Sequence, residues 1–178
     1  MKAQFAAEQS GDGEFERQED AFRDFVRPDP ASRYPAVAGR YHLYISLACP
    51  WASRALIVRN LKGLQEAVGM TVVDPVRDER GWAFRDGLGH SRDTVNGFAF
   101  LSEAYNASDP SFDGRVTVPV LWDKETRRIV NNSEDDICRM FNDAFAAFAS
   151  SSIDLFPADI VPIGPAMDLT APHGRDGV

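Results

Sequence analysis

The sequence is poor in cysteine and histidine: its 178 residues include two of the first and three of the second. Two cysteines cannot build a disulfide framework, so a reducing, cytoplasmic compartment is expected. His42, His90 and His173 share no spacing with cysteines or carboxylates that would hold a metal, and no metal is expected. A glycine-rich phosphate loop is missing too. No apolar run approaches the ~20 residues that would span a bilayer, and the first residues lack the apolar stretch of a secretory signal. Positive charge is also scarce. Against 27 Asp+Glu stand 19 Lys+Arg, a net charge of −8 with a pI near 4.8. Phosphate binding needs a basic footprint, so neither nucleic acid nor membrane is an expected partner.

What is present suits a globular chain. Apolar residues make up 44% and charged residues 26%, and the length fits one domain with arms. Residues 1–39 mix Pro28, Pro30, Pro35 and several glycines with many carboxylates, and read as an N-terminal arm. One short helix is expected around Asp20 to Val26. Phe5, Phe15, Phe22 and Phe25 suggest that the arm docks in part, since a free tail has few reasons to carry aromatics.

Residues 40–150 carry the periodic elements. Tyr41, Leu43 and Ile45 alternate with His42, Tyr44 and Ser46, which predicts a strand with His42 facing outward. Helical spacing of Leu56, Ile57, Leu61 and Leu64 predicts a helix from Trp51, with an exit at Gly63 or Gly69. Met70 to Val76 is a second short apolar strand around Thr71-Val72-Val73, so the three elements read as a βαβ unit with a parallel pair. The stretch from Arg77 to Gly114 is too long to be structureless, and Phe100 to Tyr105 is its best helix. Arg115 to Asp123 and Arg128 to Val130 are apolar runs around a Lys124-Glu125-Thr126 turn. A last helix is expected from Ser133 to Phe148, with Ile137, Phe141, Ala144 and Phe148 on one face. This order builds an α/β fold, a thioredoxin-like mixed sheet flanked by helices. Residues 151–178, rich in proline and without a period, read as a connector and an extended C-terminal tail.

Cys49 carries the first chemical signal. It sits where the strand gives way to the helix, and Pro50 suits the first helical position. As N-cap, Cys49 would meet free N–H groups and the positive dipole end, which favour the thiolate. The run Cys49-Pro50-Trp51-Ala52 offers no second cysteine to resolve a mixed disulfide. Cys138, among Ile137, Met140 and Phe141, reads as core. A reactive Cys49 therefore needs an external thiol, and in a reducing cytoplasm glutathione is the abundant one. Pro119 is the second signal: in a thioredoxin-like fold the proline facing the active cysteine is cis, which presents the backbone of Val118 to a peptide-like ligand. Ser133-Glu134, at a helix start, could grip an amine and a carboxylate, although ordinary N-capping explains the pair better when taken alone. Arg115 and Trp82 have no decisive context of their own.

These residues carry a resemblance. Tyr41 to Tyr44, Cys49 to Ala52, Gly81-Trp82, the run from Gly114 to Asp123, and Arg139 to Asn142 are similar to the glutathionyl-hydroquinone reductases, the xi class of glutathione transferases. The similarity extends to about Pro157. It implies glutathione as co-substrate and the reduction of aromatic glutathione conjugates to free hydroquinones, with Cys49 as nucleophile. It implies glutathione contacts at Trp82, Arg115, Val116, Thr117, Val118, Ser133 and Glu134. Two departures follow. The family has Glu then Ser where this chain has Ser133 then Glu134, and neighbours at a helix start point about 100° apart. Family members are also longer, with an all-helical second domain. Ile160 to Pro165 and Pro172 to Asp176 resemble the family's extreme C-terminus, so the chain reads as a first domain joined directly to a terminal tail. The alternative is a non-catalytic glutathione- or partner-binding remnant. Without the helical domain, Phe145, Phe148, Ile153, Leu155 and Phe156 would line an apolar patch that favours self-association.

Overall fold

A computed structural model describes residues 20–157. The expected C-terminal motifs, and Phe5 and Phe15 of the arm, lie outside these residues. Four strands form one mixed sheet in the order β2-β1-β3-β4. They are β1 (Tyr41–Ile45), β2 (Val68–Val72), β3 (Val120–Asp123) and β4 (Arg128–Asn131). β1 runs parallel to β2 and antiparallel to β3, and β3 forms a hairpin with β4. Three helices accompany them: α1 (Pro50–Leu61), α2 (Leu101–Ser108) and α3 (Glu134–Asp143). This is the thioredoxin-like arrangement that the order of elements predicts.

The α1 helix stops where the backbone turns left-handed at Gly63, φ +67°. A Cβ there would meet Ser150 Oγ at 1.8 Å, so the site needs glycine both for its conformation and for its space. α1 and α3 pack together on one face of the sheet. On that side Tyr41 meets Phe145 edge-on at 5.6 Å. The other face is covered by the segment between β2 and α2, from which Phe84 packs against Tyr44 at 5.2 Å.

Coverage of both faces corrects the expectation for His42. It is 6% exposed, not outward. Its Nε2 pairs with Thr71 Oγ1 at 2.8 Å, and its ring lies 5.0 Å from that of Tyr44. Beside it, Tyr44 donates to Asp93 at 3.1 Å and accepts from Asn96 at 2.9 Å. Alternation along β1 is real, but a strand buried on both sides cannot be read from polarity alone.

Other expectations shift. No helix forms around Asp20 to Val26. That stretch is an extended strap along the outer edge of β4, because the edge offers unpaired backbone groups. Asp24 N–H donates to Val130 O at 3.1 Å, and Asn132 N–H donates to Phe22 O at 3.1 Å. Arg23 pairs with Asp136 and so ties the strap to α3. Phe22 and Phe25 pack against the core, and Val26 is 2% exposed. β2 begins two residues before the expected apolar run. α3 ends at Asp143 rather than Phe148, and a short 3-10 turn follows at Ala146–Phe148. That break divides the expected patch: Phe145 is fully buried, while Phe148 and Ile153 are exposed.

Candidate active site

The site lies where β1 gives way to α1. Cys49 is the N-cap of α1, its backbone extended at φ −109° and ψ 114°, and Pro50 takes the first helical position. Proline costs nothing there, because the first N–H has no partner inside the helix. Cys49 is half-buried.

Opposite it stands the start of β3. The Val118-Pro119 peptide bond is cis. Cys49 Sγ lies 3.8 Å from the carbonyl oxygen of Val118. The approach to this bond is held by a small polar web. Tyr105 donates its hydroxyl hydrogen to Thr117 O at 3.0 Å and accepts from Thr117 N–H at 3.1 Å. Asn132 donates through Nδ2 to Thr117 Oγ1 at 3.1 Å and accepts from Phe22 N–H at 2.9 Å. The strap, the β3 approach and the start of α3 are thus fastened through one asparagine. Burial pushes the Tyr105 hydroxyl up to about 12, so it stays a neutral donor.

A cavity of about 600 Å³ opens between these elements, within the usual range for a small-molecule site. Cys49, Trp82, Arg115, Thr117, Val118 and Glu134 line it. Two residues paired with these by resemblance are not among the lining residues. Val116 points its side chain into the core at 2% exposure. Ser133 is the N-cap of α3 but makes no side-chain cap bond, and its N–H donates to Asn131 Oδ1 at 2.7 Å. Glu134, one residue on, reaches the cavity and stands 3.5 Å from Arg54 of α1.

Trp82 has a telling feature. It is 8% exposed, and among the described residues its indole Nε1 has no hydrogen-bond partner. A buried donor left unsatisfied is costly, so an indole N–H at a cavity wall suits an acceptor on a ligand.

Trp51, Arg77 and Asn132 are among the wall residues that reasoning from spacing does not find. Trp51, 48% exposed, has in the sequence no mark beyond its place between Pro50 and Ala52. Arg77 belongs to a stretch without a period, and Asn132 looks like one of several polar residues before a helix. Only their three-dimensional neighbours mark them. The second thiol does not line the cavity: Cys138 is 1% exposed within α3, and burial pushes its thiol up to about 11. Among the described residues no cluster could hold a metal ion, and no helix is long and apolar enough to cross a membrane.

Comparison with known proteins gives consistent matches. The family model for the glutathione S-transferase N-terminal domain matches residues 48–144. Glutathionyl-hydroquinone reductase YqjG of Escherichia coli is 45% identical, over 82% of this chain and 46% of its own. Among solved structures, a xi-class transferase of Natrialba magadii is 47% identical with a TM-score of 0.76, over 78% of this chain and 43% of that one. The glutathione-bound structure of YqjG is 44% identical with a TM-score of 0.71, over 76% of this chain and 47% of that one. The chain spans about half the length of the curated relatives it matches.

Proposed function

The chain belongs to the glutathione S-transferase N-terminal domain family, with xi-class transferases among its relatives, and on that premise we propose that it performs the thiol chemistry of a glutathionyl-hydroquinone reductase. Residues 40–150 form the glutathione-binding unit, and Cys49 is the nucleophile. The observation that carries this reading is the 3.8 Å approach of Cys49 Sγ to the Val118 carbonyl, on the wall of a ligand-sized cavity.

The reaction follows from the thiols present. Glutathione lies as an extended peptide against the backbone of Val118, ahead of Pro119. Trp82 gives its free indole N–H to an acceptor on the ligand. Arg115 meets a carboxylate, and Glu134 meets the amine at the other end. Thr117 holds the approach to β3 in place, Val116 acts through its main chain, and Ser133 positions the start of α3 through its bond to Asn131. With an aromatic glutathione conjugate bound, the Cys49 thiolate attacks the glutathionyl sulfur. A disulfide forms between Cys49 and glutathione, and the bond from sulfur to the ring breaks. Its electron pair goes to the ring carbon, which takes up a proton and leaves as the free hydroquinone. The thiolate of a second glutathione then attacks the glutathionyl sulfur, releasing Cys49 and oxidised glutathione. Ala52 and the buried Cys138 leave no internal thiol to take that role. A cytoplasmic, reducing setting keeps both the enzyme and its co-substrate supplied with thiol.

The test is direct. After mixing with a glutathionyl-hydroquinone, intact mass spectrometry should find one glutathione on Cys49 together with released hydroquinone, and neither with Cys49→Ser. An adduct on Cys138, or no adduct at all, overturns the reading.

A further inference from the structure

Arg77 lies in the segment that crosses from β2 to α2, and it lines the same cavity as Cys49. Its guanidinium carbon stacks 4.9 Å from the centre of the Trp82 ring. Trp82 is buried, so this platform holds the cation in one place. Partial burial pulls the Arg77 guanidinium down, and negative charge on Cys49 works against that pull. Arg77 and Cys49 thus face one and the same cavity.

The chain as a whole carries a charge of −8, and Asp20, Asp109, Asp113 and Glu134 also line the cavity. An anionic partner is repelled by that background and needs a local cation to approach the sulfur. We propose that Arg77 is a specificity-determining residue that favours partners carrying a carboxylate or phenolate next to the atom that Cys49 attacks. This rests on the reading of Cys49 as nucleophile. It adds a substrate class: conjugates and mixed disulfides whose departing half is anionic.

Iodoacetate and iodoacetamide separate charge from reactivity. With either reagent the Cys49 sulfur bonds to the methylene carbon and iodide leaves, so the two differ only in the carboxylate. Rates are measured at Cys49 by peptide mass mapping and expressed as the iodoacetate-to-iodoacetamide ratio, relative to free cysteine. Arg77→Met keeps a long stem to lie on Trp82 and removes the charge. The ratio should fall roughly three- to tenfold, the effect of one nearby unit charge, and that fall should shrink in high salt. Arg77→Lys should hold the ratio within about twofold of the native chain, because the charge is kept. The same split is expected between glutathione mixed disulfides of mercaptopropionate and of mercaptoethanol. An unchanged ratio in Arg77→Met overturns the proposal and leaves the nucleophile reading intact. Equal slowing with both reagents also overturns it, since Arg77 would then act on the thiol or the fold. If the native Cys49 fails to react even with iodoacetamide, the nucleophile reading falls first and this proposal with it.

Discussion

The two cysteines occupy opposite ends of the range that a thiol can experience in one small fold. Cys49 caps a helix at the rim of a cavity, half-buried, facing a carbonyl 3.8 Å away. Cys138 sits inside α3 at 1% exposure, and burial pushes its thiol up to about 11. Both helices are amply supplied with apolar neighbours, so hydrophobicity does not separate the two sites. Position along the helix does. The first turn offers unpaired N–H groups and a dipole end, whereas the middle of a helix offers only packed side chains. On the proposed reading, reactivity in this fold goes to the thiol where a strand hands over to a helix.

The strongest way to break this comparison is to exchange the two losses. Cys49→Ser should reduce glutathione-linked turnover to background. Cys138→Ser should retain it, at a cost in stability of about 1–3 kcal/mol for burying an unpaired hydroxyl. Coupled turnover assays and urea melts of both variants check this. A Cys138→Ser chain that is folded yet inactive would reverse the assignment.

Labelling kinetics sharpen the contrast without mutation. At pH 7 a thiol held near 11 is ionised to roughly one part in ten thousand, and here it is also out of reach of reagent. Cys49 should therefore be alkylated in the native chain, and Cys138 only at the rate of unfolding. Peptide mapping after pulses with and without urea gives the ratio.

Much of this contrast was legible in the sequence. The alternation in β1, the Cys49-Pro50 junction and the Val118-Pro119 pair are local signals, and each maps onto one element. What was not legible depends on contacts between distant segments. The strap at Asp20 to Val26 has enough short-range helical character to suggest a helix, yet its backbone is claimed by the edge of β4. His42 looked outward because the segment that buries it has no period of its own. Arg77 and Asn132 became wall residues only through their partners, Trp82 in one case and Thr117 and Phe22 in the other.

His42 supplies a pH test that separates core from site. Burial lowers its pKa to about 4, from an ordinary value of 6.5. The unfolded chain therefore binds a proton more readily than the folded one across that window. Stability is complete above pH 6.5 and is lost as pH falls towards 4, by about 2 kcal/mol at pH 5 and about 3 in full. Urea unfolding at pH 7.5 and pH 5 should show the drop in the native chain and a smaller one in His42→Gln. Activity lost in this window then reports on the sheet and not on Cys49. Equal drops in both chains would place the acid sensitivity elsewhere.

The smallest expected effect concerns the start of α3, where this chain exchanges the order of a Ser and a Glu. Glu134 lines the cavity, and Ser133 does not. The hydroxyl of Ser133 also makes no cap bond, so it contributes little to the helix, where a bonded Ser cap gives about 1 kcal/mol. Removing each should therefore have unequal consequences. Glu134→Gln keeps the shape, exchanges a charged acceptor for a neutral one, and should weaken glutathione binding about tenfold, the lower end of what a charge-assisted hydrogen bond contributes. Ser133→Ala should change the affinity by less than about twofold, because Ser133 does not line the cavity. Calorimetric titration of glutathione into both variants reads the difference. The reverse pattern, with Ser133 the more costly loss, would mean that the helix start rotates when ligand binds and brings the Ser hydroxyl to the place that Glu134 occupies in the free chain.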